Sequence, residues 1–473
     1  GFIKQITDEL RNINFENIEI TNTKSNGNYT GVIAGNKGTI ENVSFNHIKI
    51  QAEKMSYVGC IGYSSFYIQN VRLNEIHCVG MHRVGGLIGH CSRQVSDIVA
   101  SGVVVEGSNY VGGIEGTTSS TLRDVSFSNG SVRGMDYTGG ILGIGSVLRL
   151  EANHVEVEGR YYVGGIVGQA NNQGSTNQHY LKGNKLNVRG TGSCIGGLIG
   201  GGYYCEHNEI TDSTVEGMSS WSDGVGGISG VMGGYSGSYS KVANVKVISK
   251  GDYVGGLAGY LYGLVGKFLV TQCYVEGDSY VGGLTGKCYG YGGNNLYVNA
   301  NVVATNHSAG GLFGYMDNRG TSAVTNTIKI ERCYVAGGEI RAQNNAGGLI
   351  GNIAEDLYTD KIFYQGIYTQ VKVIGENPKT TSTLIGNRPD ENVNLVDTYV
   401  YQYSNINGEN PNEENEPFIK PEQYLKEEDL KKKETYTQKI GLPETYWDFS
   451  VLEQNKYPIL KGHEGQEGIP LPI

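Results

Sequence analysis

Proline is missing from the first 377 residues of this 473-residue chain; all nine prolines lie at or beyond Pro378. A residue without an amide hydrogen is shut out of strands that are paired on both sides. Its absence fits a stacked array whose interior strands all have two neighbours, and it draws a boundary near 378. Basic residues are also short: 37 Lys and Arg against 47 Asp and Glu leave a net charge of −10. That balance argues against nucleic acid or an anionic membrane as the main partner, because both need a basic footprint. No run of about 18 apolar residues exists, so no helical membrane insertion is expected. The opening GFIKQITDEL has no initiator Met or signal peptide and reads as a mature segment or a piece of something larger.

Glycine is abundant instead, with 73 residues, alongside 33 tyrosines. The heptad YVGGIEG stands at 110–116, YVGGIVG at 162–168, YVGGLAG at 253–259 and YVGGLTG at 280–286. Aligned on its first Gly, the motif recurs at 31, 59, 85, 112, 139, 164, 196, 226, 255, 282, 310 and 347, and STLIGN at 382–387 is a degenerate thirteenth copy. A period near 27 marks a repeat array. Between heptads, NVSFNHIKI and DVSFSNGSV alternate apolar with polar residues, which predicts strands. No unit sustains a helical period. The expected fold is all-β: a parallel β-solenoid of about 12 coils, each burying its inward residues by stacking on its neighbours.

Within the heptad, the Gly-Gly step supplies either permissive backbone angles at a corner or a close approach of backbone to backbone. The Leu or Ile that follows (Leu87, Ile114, Ile141 and their equivalents) is expected to point inward, and the next, variable position outward. Tyrosine stands two before the first Gly in seven units, which predicts a stacked column with cross-strand pairs of ~0.2–1 kcal/mol each. The organisation expected is an N-terminal cap at 1–27, the repeats at 28–377, a capping segment at 378–462 and a linker at 463–473.

The heptads YVGGLAG, YVGGLTG and VGGLIG resemble the GLUG motif over residues 28–352. Such repeats occur in large secreted or surface proteins of bacteria, including immunoglobulin A-specific zinc metallopeptidases of Gram-positive species, where they lie upstream of the catalytic domain. KIGLPETYWDFSVLEQNKYPILKG at 439–462 resembles the closing element after such repeats. The resemblance implies a non-catalytic scaffold and recognition module of a secreted or cell-wall-attached protein. Its partners would be a host glycoprotein such as immunoglobulin A, a glycan or mucin, and an attached catalytic or anchoring domain. Two alternatives stand beside it: an independent adhesin binding host glycans or mucin, and a β-helix enzyme degrading polysaccharide.

A zinc peptidase needs His-Glu-x-x-His. None of the nine histidines begins that motif, and His463-Glu464 is followed by Gly465-Gln466-Glu467. No catalytic residue and no cofactor is therefore expected in this chain; zinc would belong to an attached domain. The eight cysteines show no Cys-x-x-Cys spacing and read as buried thiols, with Cys273 and Cys333 about two coils apart. His77, Cys78, His82, His90 and Cys91 crowd one coil, yet strand alternation sends neighbours to opposite faces, so no metal site is expected. Glu106, Glu158 and Glu276 share one register, Asp136 and Asp252 another, but none sits in adjacent coils as a glycosidase pair would require.

Tyrosine also clusters just after the heptad in four consecutive units. Tyr203 and Tyr204, Tyr235 and Tyr239, Tyr260 and Tyr262, and Tyr289 and Tyr291 are expected on Tyr- and Gly-rich loops along one side. Rigid amphipathic rings there can stack on sugars or grip a protein. Beyond 378, PEQYLKEEDLKKK has helical character from Pro421 and is expected to cover the last coil.

Overall fold

The alternating segments and glycine heptads fold, in a computed structural model, as an all-β parallel solenoid of about 13 turns. The structure describes residues 2–24, 28–171, 180–203, 207–218, 223–233, 239–317, 328–354, 362–388, 395–401, 403–412, 416, 418–462 and 470–471. The chain divides into two compact units, one of residues 1–218 and 227–231, the other of 219–226 and 232–473.

In the first unit the heptad strands Ser56–Val58, His82–Gly85, Asn109–Gly112, Asp136–Gly139, Tyr161–Gly164 and Ile195–Gly196 stack in parallel. Their register is fixed at Val58↔Val84↔Val111↔Thr138↔Val163↔Ile195. The longer walls, beginning with Leu10–Thr21, Ile40–Gln51 and Ile68–Val79, stack likewise through Ile13↔Val43↔Val71↔Ile98↔Val125↔Leu150. Each inward Val or Ile is worth roughly 1.5–3 kcal/mol on burial, and the column repeats that gain coil after coil.

These walls are not straight. Asn12, Asn42, Asn70, Asp97 and Asp124 share one register and all carry φ between 52° and 59°. Asn17, His47, Glu75, Asn129 and His154 make a second left-handed column. Each bend adds one outward residue, so in Ile40–Gln51 the buried positions are 40, 43, 45, 48 and 50 rather than every second one. Asn and Asp tolerate this conformation better than other side chains, because their short polar groups bond locally.

The heptad makes the third bend, and the left-handed residue there is tyrosine. Tyr57, Tyr110, Tyr137, Tyr162, Tyr253 and Tyr280 have φ of 54–60°, whereas no described heptad glycine has a positive φ. Of the two roles expected for Gly-Gly, close approach is the one found. A Cβ on Gly283 would lie 2.2 Å from the carbonyl oxygen of Gly311, and one on Gly286 2.3 Å from the carbonyl carbon of Tyr253. Each left-handed tyrosine costs ~1–2 kcal/mol. Stacking offsets part of it: the Tyr110–Tyr137 and Tyr137–Tyr162 ring centroids are 5.1 and 5.0 Å apart and nearly parallel. In the coil of Gly85, where this tyrosine is lacking, Arg83 keeps the column continuous, its guanidinium 4.9 Å from the Tyr57 ring and 5.5 Å from Tyr110.

The Leu/Ile column is buried as expected, but so is the variable position after it. Ile88, Glu115, Leu142, Val167, Ser229, Ala258, Thr285, Phe313 and Ile350 are all fully buried. The corner between the two residues breaks strand alternation, so consecutive side chains both face inward. Glu115 is thereby a carboxyl group in a column of Ile61, Ile88 and Leu142. Its Oε1 accepts the Cys91 amide at 3.1 Å, while Oε2 has no hydrogen-bond partner. Burial holds its pKa well above the ordinary carboxylate range, offset in part by the Cys91 amide and Thr118. Because the fold binds this proton more tightly than the unfolded chain does, its contribution is full below the carboxylate range and is lost as pH rises from there. Glu115→Leu is expected to raise stability by about 1–3 kcal/mol at neutral pH and to leave it unchanged near pH 4. Melting curves across pH 4–8 check this; equal shifts at both ends would contradict it.

In the second unit the heptad strands continue in register through Val225↔Val254↔Val281↔Ala309↔Ala346↔Thr381. Coil pairing thus crosses the expected boundary at 378, and the degenerate STLIGN copy is a true rung. Pro378 opens a short 3-10 turn, Pro378–Thr380, at a corner where no ladder hydrogen is needed. Pairing runs on to Tyr424–Leu425, which joins Val400 and Tyr401. Among the described residues the heptad sheet ends at Thr381–Ser382. Glu416, almost fully buried, takes the next place: its carboxylate accepts from the Thr383 amide, the Thr383 hydroxyl (2.6 Å) and the Ser382 hydroxyl (2.9 Å).

The C-terminal segment lies along the side of this unit. Tyr297, Tyr334, Tyr368 and Tyr399 form one column on the outer face of the wall. Trp447, Tyr457, Tyr436 and Phe449 cover it, making a second buried cluster outside the solenoid lumen. The Trp447 ring sits 5.1 Å from Tyr334 and its indole N–H donates to Asn295 at 3.3 Å. The Tyr368 and Tyr457 hydroxyls meet at 3.0 Å, and Tyr334 donates to the Pro458 carbonyl. Trp447–Asp448 pairs antiparallel with Ile459–Leu460, so the Trp-Asp and Tyr-Pro-x-Leu elements form one clasp. The helix expected from Pro421 is broken into a 3-10 turn at Pro421–Gln423 and a single α-turn at Glu427–Leu430. The linker at 463–473 falls outside the described residues except for 470–471.

Candidate functional site

The angle between a heptad strand and the strand after it forms a re-entrant flank on the second unit. Two columns line it. One holds the heptad tyrosines, Tyr253 and Tyr280, followed by Ser308 and Asn345, with the His307 ring beside Tyr280. The other lies five residues after each first Gly and runs Tyr260↔Lys287↔Tyr315↔Asn352↔Asn387.

At one end stands an aromatic enclosure. The Lys287 ammonium lies 5.2, 5.3, 5.5 and 5.9 Å from the ring centroids of Tyr260, Tyr253, Tyr315 and Tyr289, and 3.6 Å from the Asp317 carboxylate. Both charged side chains are nearly buried, at 13% and 3% exposure. Removed from water, the cation gains from ring faces and carboxylate together. Tyr260 stacks on Tyr262 at 4.4 Å, and Tyr262 meets Tyr289 edge-on at 5.6 Å. Burial pushes the Tyr253 hydroxyl up to about 12, helped by Tyr280, so these phenols are neutral donors at physiological pH.

Beyond the enclosure the flank opens into a cleft of ≈ 510 Å³ lined by Tyr280, His307, Tyr315, Asn345, Asn352 and Asn387, among others. Tyr280 and Tyr315 lie 4.9 Å apart at 52°, and His307 lies 5.1 Å from Tyr280. His307 Nδ1 is 2.6 Å from the Ser308 hydroxyl, which also accepts from the Asn345 amide at 3.1 Å. Asn387 donates to Asn352 at 3.0 Å. Side-chain amides are thus held beside two ring faces, in a wall whose described lining residues include no Lys, Arg, Asp or Glu.

Of the tyrosines singled out in the sequence, Tyr260, Tyr262 and Tyr289 come together here. They stand on the strands Ala258–Gly277 and Thr285–Ala304, paired Tyr260↔Lys287 and Tyr262↔Tyr289, and not on loops. A register shift between Tyr262 and Leu264 absorbs the extra residue that the sequence pattern reads as a loop. Tyr239 is elsewhere, its ring 4.7 Å from the Lys267 ammonium, whose other neighbour is Tyr446 of the clasp at 4.6 Å. Tyr203 and Tyr291 have strand backbone, with side chains outside the described residues, as are Tyr204 and Tyr235 altogether. Sequence reading missed Tyr315, Lys287 and the asparagines. Their common offset from the first Gly was the available signal.

Most other candidates are engaged within the fold, whereas the buried His77 Nε2 has no hydrogen-bond partner. Cys78, Cys91, Cys273 and Cys333 are buried, with thiols pushed up to about 12 by burial. His90 turns instead to Thr117, 2.8 Å away, and His82 to Asn109. Among the described residues no group of three His, Cys, Asp or Glu is placed to hold a metal. Asp136 pairs with Arg160 at 3.1 Å and Glu158 with Arg133 at 3.0 Å, each across adjacent coils. No protein-family model, no curated protein and no solved structure matches this chain.

Proposed function

We propose that the chain is a non-catalytic recognition module that holds carbohydrate on the aromatic and amide flank of its second unit. The observation that carries this is the cleft itself: ring faces at Tyr280 and Tyr315 beside fixed amides at Asn345, Asn352 and Asn387. Sugars offer just those two surfaces, C–H faces that pack on rings and hydroxyls that bond amides. The heptad resemblance supports reading such a module as part of a secreted or cell-wall-attached bacterial protein. Joined to a zinc metallopeptidase domain, the flank would hold the glycans of a host glycoprotein such as immunoglobulin A; joined to an anchor, it would act as an adhesin for mucin or other glycans.

Binding to a glycan array and to mucin-type glycoprotein, measured for the intact chain, tests this. Tyr280→Ala with Tyr315→Ala is expected to weaken binding at least tenfold with the melting temperature of the solenoid preserved. Equal binding by the folded double variant would remove the flank from consideration.

A further inference from the structure

Resting on the carbohydrate reading above, we infer that the ligand is an uncharged, extended oligosaccharide that lies parallel to the coil-stacking direction, one sugar per coil. Three features of the flank converge on this.

The first is periodicity. The second column gives the cleft one side chain per coil, Tyr315, Asn352 and Asn387, in unbroken parallel register. Parallel strands are ~4.8 Å apart, close to the length of one hexose unit in an extended chain. A polymer laid along the column therefore meets an equivalent position at every unit. A chain laid across the coils would leave the cleft after one.

The second is charge. Among the described residues that line the cleft, His307 is the one acid or base. Lys287, in the same column as Tyr315, is committed to Asp317 and its four rings. At the near rim Asp252 and Asp278 lie close enough to repel one another, which, after burial, helps hold Asp252 above its usual range. A sialylated or uronic chain would approach acids and meet no Lys or Arg among the described lining residues. Neutral hydroxyls and N-acetyl groups match the amide ladder instead.

The third is extent. The lining residues belong to four successive coils, those of Gly282, Gly310, Gly347 and the copy at Ser382. Ring faces stand at one end and amides at the other, so the cleft has polarity as well as length. Among the described residues the amide column ends at Asn387.

Isothermal titration of the intact chain with β-1,4-linked glucose and N-acetylglucosamine oligomers of one to six units tests the inference, with sialylated and uronic oligomers in parallel. Affinity is expected to rise about threefold to tenfold with each added unit and to level off near four. Asn352→Ala is expected to shorten the rise by one or two steps while leaving shorter oligomers unaffected. A flat length series, or tighter binding of the acidic oligomers, overturns the inference while leaving carbohydrate binding standing. No binding by any oligomer, together with a silent glycan array, overturns both.

Discussion

Gly283→Ala is expected to be among the most damaging single changes in the chain. Its new methyl would lie 2.2 Å from the Gly311 carbonyl oxygen and 2.8 Å from the Val298 side chain. The obstacle is backbone on the next coil, so no rotamer change relieves it. Separating the coils would sacrifice the ladder bonds from the Gly283 amide to Gly310 and from the Leu284 amide to Leu312. A loss of about 4 kcal/mol or more is expected, in the range reached by only the worst core substitutions. Gly35→Ala is the control, since its methyl meets only Lys4 carbonyl oxygen at an ordinary 3.7 Å. Because repeat arrays unfold by neighbouring units, amide exchange should show the loss concentrated in the coils on either side of 283. A uniform loss, or none, would contradict the close-approach account.

Trp447→Ala is the second large effect. The indole is fully buried, stacks near Tyr334 and supplies the hydrogen bond to Asn295. Its removal is expected to cost about 3–5 kcal/mol and to release the clasp from the outer wall. Exposure of Tyr334 and Tyr368 should follow, together with faster proteolysis between 426 and 462. The heptad ladder itself should keep its exchange protection, since its bonds lie within the coils. An undisturbed clasp in a folded variant would show that the aromatic cluster packs there without holding the segment in place.

The fold was legible because its two strongest signals are simple. Close backbone contact allows only glycine, so the heptad recurs wherever coils meet, and proline is excluded wherever both edges are paired. The bends were harder to read. A left-handed Asn between two apolar residues looks like an ordinary outward position in an alternating strand, and only the buried spacing of three, two, three and two, as from 40 to 50 and again from 68 to 78, betrays it. The inward turn of Glu115 was hidden for the same reason. Corners suspend alternation, and the variability of that position reads as exposure until the lumen is seen. At the flank, tyrosines drew attention through their rings, whereas Asn352 and Asn387 acquire meaning only when coils are set in register. Ladder geometry converts scattered residues into a surface, and no linear motif marks it.

Arg83, Glu115 and the clasp also bear on how such a chain finds its own alignment. Near-identical coils invite a slip by one whole rung, an error that conserves almost every hydrophobic contact and most ladder bonds. Irregular residues act as an address. Arg83 lies between Tyr57 and Tyr110, Glu115 beside the Cys91 amide, and Trp447 opposite Asn295 and Tyr334. A slipped arrangement would leave a buried carboxyl or an indole hydrogen with the wrong neighbour, at a cost far above that of any misplaced valine. Monotony makes the array, and its few exceptions number the rungs.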